Sequence, residues 1–371
     1  MGLPHERTVV AMATVIATMQ RLWYYRGTVW QKNNKVRVHP GGNKRGIPLQ
    51  YMMEYTTTLL NNIPIVITIG NFDGIHKGHQ RLMHALCTMA QKLHCTPVMI
   101  TFSPHTLMVV RPDLYVRYLT TLEEKLALVA RFGGIADTIV IQFTPAVAAM
   151  SATDFMDTLC SRFTIKGLVV GENFSLGHQR KGDIVFLEQY GKEHDIQVEA
   201  ILLEEAQQTR ISSTRIRTLV SEGNIGEANE MLGHLLLVTG IVEHGDQRGR
   251  QIGFPTANLR PDPHRLLPAD GVYAAYVRVQ EGIGSDAQNG PAVYKGVVNI
   301  GVRPTFHGRE LLVEAYILDT LLDLYDKQLI IEFVARLRGE QRFSGIDALK
   351  AQIAVDVQTA RQILAMRKVS N

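Results

Sequence analysis

Two histidines three residues apart, His76 and His79, follow a run of β-branched residues and a glycine-flanked turn in "VITIGNFDGIHKGHQRLM" (66–83). On a helix beginning near Ile75 they are neighbours on one face. A helix start offers free N–H groups and positive partial charge, and glycines at 70 and 74 let the backbone approach an anion closely. Imidazoles placed there can donate to phosphate oxygens as charge develops during displacement at phosphorus. Zinc would require at least three protein ligands, and neither the cysteines nor His84 and His94 supply an obvious set. A solvated surface pair is the third reading of an H-x-x-H spacing. Further along, Ser212, Ser213 and Thr214 start a helical stretch, with Arg215 and Arg217 directly behind them. Hydroxyls, helix-start amides and guanidinium forks suit a triphosphate or a pyrophosphate leaving group. An ordinary Ser/Thr cap with solvated arginines explains the same string. The histidines upstream favour the first reading, with Ser213, Thr214 and Arg217 as the candidates.

A second set of residues lies in the other half of the chain. "GDQRGRQIGFPTANL" (245–259) spaces Gly245, Gly249 and Gly253 by four, then sets Thr256 and Asn258 after Pro255. The glycine spacing alone is explained equally well by a β-barrel corner. Two side-chain oxygens after a rigid proline suit Mg²⁺, which keeps waters and leans on its nucleotide. In "LLVEAYILDTLLDLYDKQL" (311–329), Glu314 sits in an alternating strand with Val313 and Ala315 on the opposite face.

These residues need elements to hold them. Apolar runs of strand length recur at 65–69, 97–102, 138–143 and 166–171, separated by segments of helical spacing such as Leu82, Leu86, Ala90 and Leu93. Alternating strands and helices imply parallel pairing in a doubly wound, Rossmann-like α/β sheet, whose ligands sit beyond the carboxyl ends of the strands. The histidine turn lies at such an end. Near residue 236 the character changes to β-rich pieces separated by Gly, Pro and Asp turns, with no room for crossover helices. They predict an antiparallel sheet or small barrel. A closing helix presents Leu349, Ile353, Val357, Ala360 and Leu364 on one face. The expected organisation is an N-terminal extension over 1–62, an α/β domain over 63–235 and a β domain with its C-terminal helix over 236–371.

With these motifs in place the chain resembles a known family. "GNFDGIHKGH" is similar to the signature of nucleotidyltransferases, and within them to the FAD synthetase module of bacterial bifunctional riboflavin kinase/FAD synthetases. "TFSPHTLMVVRP" (101–112) resembles that family's segment beside the nucleotide, although the family often has "FEPHP" where this chain has Ser103 and Thr106. "VVGENFSLGHQRKGD" and "ISSTRIRTLVSEGNIGEANEMLG" follow in family order. The string "GFPTAN" resembles the riboflavin kinase signature. The likeness runs from about residue 63 to 365. It implies that His76 and His79 bind and stabilise reacting phosphates, that Gly70, Asn71 and Asp73 shape the turn, and that Asn173 contacts a phosphate of nucleotide or flavin. It also implies that Glu314 is the general base toward the flavin ribityl hydroxyl, and that Arg338 in "ARLRGEQRF" is a flavin neighbour. The implied activity is two-step: riboflavin to FMN with ATP, then FMN to FAD with release of pyrophosphate, with Mg²⁺ in both.

Composition narrows the alternatives. The 371 residues, 46% hydrophobic, suffice for two moderate cores. Cys87, Cys95 and Cys160 form no C-x-x-C pair, which favours a reducing, cytoplasmic setting. No apolar run reaches the length of a membrane span. The net charge of +4 is uneven: residues 1–53 hold eight Lys/Arg against Glu6 alone, and the rest has 31 basic and 34 acidic residues. That −3 body disfavours a nucleic-acid partner. The basic leader reads as a disordered extension, a targeting segment or, with Met52 and Met53 just before the first clear strand, sequence upstream of the true start. Two other function classes remain: a single-function nucleotidyltransferase whose β domain only binds flavin, and a non-catalytic flavin sensor. Thr256, Asn258 and Glu314 together argue against the first, and the charge balance against the second.

Overall fold

The computed structural model describes residues 53–55, 60, 63–202, 205–206, 209–244, 249, 252–280, 292–305, 308–320 and 322–366. Most of the basic leader and Gly245 lie outside them. The fold is the expected α/β unit followed by a barrel. Strands β1 (Met53–Tyr55), β2 (Ile65–Ile69), β3 (Thr96–Ser103), β4 (Asp137–Gln142), β5 (Ile165–Gly171) and β6 (Gln197–Ile201) form one sheet in the order β1-β4-β3-β2-β5-β6. All neighbours are parallel except β1, which runs antiparallel on β4. Edge strand β1 thus falls inside the segment read from sequence as an extension. β2 is central and buried at all five positions, as a Val/Ile run covered on both faces must be. The chain adds β3 and β4 on one side of β2 and then returns to add β5 on the other. The switch point therefore lies at the end of β2.

The crossover helices are set by local chemistry. Helix α1 (Lys77–Lys92) buries Leu82, Met83, Leu86, Met89 and Ala90. A five-residue helix α2 (Thr106–Val110) follows β3. Helix α3 (Leu122–Phe132) opens with a capping box between Thr121 and Glu124 and stops at Gly133. Short α4 (Pro145–Ala148) and α5 (Ala152–Cys160) precede β5, and α6 (Ile184–His194) precedes β6. A two-stranded ribbon, β7 (Glu205–Ala206) and β8 (Thr209–Arg210), leads to α7 (Ser213–Glu222) and α8 (Ile225–Leu232).

Strands β9 (Leu236–Glu243), β10 (Ala257–Arg260), β11 (Gly271–Gln280), β12 (Val293–Thr305), β13 (Gly308–Ile317) and β14 (Gln328–Arg338) close into an antiparallel barrel in the order β10-β13-β12-β11-β14-β9. Closure leaves no free sheet edge. Its interior holds Leu259, Tyr273, Val298, Val313, Ala315, Leu329 and Phe333. Helix α9 (Ile346–Met366) covers the outside with Val357, Ala360 and Leu364. Sequence periodicity misses its buried Asp356, which accepts three hydrogen bonds from Arg338 at 2.8–3.1 Å.

Packing does not follow chain order. Ile216, Leu219, Val220, Ala228 and Leu232 of α7 and α8 share one buried cluster with the barrel interior, and Leu119 from the sheet unit joins it. Asn229 locks this contact. Its buried amide donates to Phe333 O at 3.0 Å, and its Oδ1 accepts from Leu236 N at 2.7 Å. Asn229→Ala orphans both buried backbone groups, an expected loss of about 2 kcal/mol or more. Urea denaturation should show that loss as a lower midpoint at unchanged slope.

Candidate functional site

The first site forms where β2 ends. Gly70 N–H still bonds to Ile100 O at 3.1 Å, and the chain then turns through Phe72, Gly74 and Ile75 at φ of 48°, 85° and 40°. Such angles are costly for Phe and Ile, so the surroundings must hold them. Both side chains are fully buried. Gly74 is required twice over, by its φ and because a Cβ there would lie 3.0 Å from Leu119. His76 caps α1, its Nδ1 accepting from His79 N–H at 3.4 Å, so its proton sits on Nε2. The two imidazoles stack at 3.6 Å between centroids, and Phe72 meets His79 edge-on at 5.2 Å. Burial pushes His76 down to about 4, against the pull of Asp73. Burial, then the stacked His76, holds His79 well below the usual range. Both are neutral donors near pH 7.

Asp73 organises the turn from inside. Its buried carboxylate accepts from Leu119 N (2.9 Å), Thr120 N (3.0 Å), Thr120 Oγ1 (3.2 Å) and Arg217 Nη2 (2.6 Å). Burial pushes the carboxyl up, but the Arg217 guanidinium and the amide bonds outweigh it and leave it below its ordinary value. Asp73 O accepts from Ser213 Oγ at 2.9 Å. The start of α7 is thereby tied to the histidine turn, more than a hundred residues away in sequence. Ser212 caps that helix, and Thr214 is exposed at its first turn.

The neighbouring strands complete the rim. Beyond β3, Asn71 Nδ2 donates to Thr106 Oγ1 at 2.9 Å. His105 caps α2 through Nδ1, and its Nε2 lies 3.4 Å from Arg217 Nη2. Burial lowers His105 to about 4. Beyond β5, Asn173 is exposed and donates to its neighbour Glu172. Under the site, Lys125 of α3 is buried and donates to Thr101 Oγ1 at 3.1 Å. Burial brings it to about 8, so it stays largely charged at pH 7. Two buried nitrogens, His79 Nδ1 and Arg217 Nε, have no hydrogen-bond partner. Two cations, one internally neutralised carboxylate and three neutral imidazoles make a cluster suited to a polyanion.

The structure brings His76, His79, Gly70, Asn71, Ser213 and Arg217 together around one turn, with Thr214 exposed at the start of α7. Asp73 joins them as a buried clamp behind the turn rather than a group facing outward. His105 and Lys125 escaped sequence reasoning. The signal for His105 was present in "SPHT", a histidine directly after the β3 run; Lys125 reads as one more charge on an amphipathic helix.

The second site lies on the barrel's outer wall. Asn258 of β10 and Asn299 of β12 both stand opposite Glu314 of β13. Their neighbours Ala257, Leu259, Val298, Ile300, Val313 and Ala315 fill the interior, so strand alternation turns this polar row outward. Asn299 Nδ2 lies 3.5 Å from Glu314 Oε2. Thr256 is exposed at the head of β10. Gly249 passes so close that a Cβ would sit 2.4 Å from Phe254 O and 3.1 Å from Thr256 Oγ1. Gly253, at φ 91°, makes the turn between them. Asn299 was missed, although an Asn inside "GVVNIGV" is an outlier for a buried strand. Arg338 is committed to Asp356 and to the ring of Phe343 at 5.7 Å, where it fastens α9.

The lowered imidazoles make a stability prediction. A histidine kept neutral in the fold binds fewer protons than it does unfolded, so its contribution is complete above about pH 6.5 and is lost as pH falls toward about 4. Thermal melts over that range should show Tm falling with pH, and His76→Gln should flatten the slope.

A family model described as FAD synthetase matches residues 60–215, and one described as riboflavin kinase matches residues 232–364. A bifunctional riboflavin kinase/FMN adenylyltransferase of Escherichia coli (strain K12) is 36% identical over 304 residues, which cover 82% of this chain and 94% of that protein. A protein of the same name from Listeria monocytogenes is 34% identical over 312 residues, 84% of this chain and 96% of that one. A crystal structure titled macrolide-efflux protein, from Streptococcus pneumoniae, superposes with a TM-score of 0.71 at 30% identity, covering 82% of this chain and 97% of that one. Among the described residues no helix is long and apolar enough to cross a membrane. Two family models in the same order as the two built sites, and relatives matched over nearly their whole length, give one answer: the chain belongs to the bifunctional riboflavin kinase/FMN adenylyltransferase family.

Proposed function

We propose that this chain carries out both reactions of its family, phosphorylating riboflavin to FMN and adenylating FMN to FAD, with ATP as co-substrate in each. The observation that carries the reading is that one chain holds two separate built sites, each with the groups one of these steps needs. In the sheet unit, the FMN phosphate oxygen attacks the α-phosphorus of ATP and pyrophosphate leaves. Neutral His76 and His79 can each donate an N–H to phosphate oxygens without first losing a charge. Arg217, with Ser213 and Thr214 at the start of α7, suits the departing pyrophosphate. Asn71 and Gly70 shape the turn around the nucleotide, and Asn173 stands at the rim toward a phosphate.

On the barrel, Glu314 takes the proton of the terminal ribityl hydroxyl as that oxygen attacks the γ-phosphorus and ADP leaves. Asn258 and Asn299, facing it across the strands, confine the carboxylate. Gly249 and Gly253 let the backbone at those two positions lie close against phosphates. ATP-dependent transfers of this kind generally need a divalent metal, and we assign Mg²⁺. Thr256 and Asn258 offer the hard oxygen donors it prefers, and no group of three His, Cys, Asp or Glu among the described residues forms a protein-only metal cage. When bound, the metal would neutralise charge on the phosphate oxygens. The reduced cysteines fit a cytoplasmic setting. The charge balance gives no support for a nucleic-acid partner.

Glu314→Gln should lower FMN formation by about 100-fold or more and leave FAD synthesis from supplied FMN intact. His76→Ala with His79→Ala should do the reverse. Chromatographic separation of riboflavin, FMN and FAD after incubation with ATP and Mg²⁺ reads both outcomes. Normal kinase turnover in the glutamate variant would remove it as the base. Chelation with EDTA should stop both steps, and added Mg²⁺ should restore them.

A further inference from the structure

The contact between the barrel and the sheet unit runs into the adenylylation site. Arg265, in the loop between β10 and β11, is fully buried and pairs through Nε with Glu124 Oε2 at 2.8 Å, with both side chains at 0% exposure. Its remaining donors go to backbone carbonyls: Leu266 O at 2.7 Å, Tyr118 O at 3.3 Å, and Leu237 O. Glu124 is equally committed. Oε1 accepts from Thr239 N (2.8 Å) and Oγ1 (3.1 Å) of β9, and Oε2 also accepts from Thr121 N (2.9 Å). Arg265 is therefore a fork that joins the two units through a desolvated ion pair whose guanidinium nitrogens and carboxylate oxygens all have hydrogen-bond partners.

What this fork holds is residues 118–121. Tyr118 forms a parallel bridge with Arg265: Tyr118 N donates to His264 O at 3.0 Å and Leu266 N donates to Tyr118 O at 2.8 Å. The next two residues are Leu119 and Thr120, whose amides grip Asp73. Thr120 Oγ1 also accepts from Gly74 N at 3.0 Å. Thr121, the fourth, is held by Glu124. Asp73 in turn holds Arg217 and, through its carbonyl, Ser213. One segment of four residues thus has the barrel on its first member and the phosphate-site clamp on its second and third.

We propose that Arg265 of the barrel is a positioning residue for adenylyl transfer: by fixing residues 118–121 it sets Asp73, and through Asp73 the placement of Arg217 and α7 against the nucleotide. The inference rests on the adenylylation reading of the first site. The barrel then serves two reactions, its own at Glu314 and, through its wall, the one next door. Hydrogen-bond geometry at Asp73 is tight enough that a small shift of the 118–121 segment moves Arg217, and transfer rates are steep in the placement of such groups.

Arg265→Met tests this in the full-length protein, with Arg265→Met/Glu124→Leu beside it, because the double variant leaves no unpaired buried charge. In the double variant, kcat/KM for ATP in FAD synthesis should fall about 10-fold or more, with the KM for FMN within about two-fold and riboflavin phosphorylation near wild type as the internal control for folding. Arg265→Lys should give an intermediate loss, since one ammonium cannot reproduce the fork. If kinase and adenylyltransferase activities fall together, in proportion to a lower melting temperature, the pair is structural only and the proposal is overturned. It is equally overturned if the folded double variant adenylates FMN normally. Absence of FAD synthesis in the wild-type protein would instead remove the reading of the site itself.

Discussion

The buried carboxylate of Asp73 is the constraint on which the first site depends. It collects two backbone amides, a threonine hydroxyl and a guanidinium from segments centred near residues 119 and 217. Those segments come from a loop between helices α2 and α3 and from a helix packed against the barrel. A carboxylate with no water around it needs such a set of donors, and removing one partner of a buried pair costs about 3–5 kcal/mol. Because the donors are far apart in sequence, satisfying Asp73 requires the sheet, the 118–121 segment and α7 to reach their final positions together. The strained backbone at Phe72 and Ile75 persists in the same way, because buried packing and these bonds over-determine the turn.

The two sites solve different electrostatic problems on different scaffolds. At the end of β2, burial strips charge from His76, His79 and His105 beside the Lys125 ammonium and the guanidinium of Arg217 that is paired with Asp73. Donors that need not be desolvated as ions sit beside fixed positive charge, a combination that favours developing negative charge on phosphate. On the barrel wall Glu314, the base of the proposed kinase step, stands in a polar row with Asn258 and Asn299. A closed barrel offers such a row because strand alternation buries every second side chain and turns the others outward, which keeps three residues from three strands in register.

Much of this architecture was legible in the residues. The period-two and helical patterns located β2 to β5, the barrel strands and α9, since burial on one or two faces leaves a direct trace in residue order. The clustering at the end of β2 was legible for the same reason: His76 and His79 fall at the start of one helix, and Ser213 and Arg217 at the start of another. Edge strand β1 left no comparable trace, being three residues long at the margin of the sheet. His105 and Asn299 are single polar residues whose meaning depends on a strand or helix from elsewhere. Lys125 and Asp356 look like surface charges in any window, and only packing shows that they are buried.

The sequence by itself determined the class of fold, the order of its two units and the residue types at both sites, because these follow from local periodicity, turn chemistry and short motifs. The tertiary structure alone decided that Asp73 is a clamp behind the turn, that Arg338 holds a helix, that α7 and α8 share the barrel's core, and that Arg265 of one unit braces the loop of the other. Each of these rests on a hydrogen bond or contact between residues widely separated along the chain. Partner choice at such distances is set by which polar groups would otherwise be left unpaired in the interior, and residue order carries no record of that.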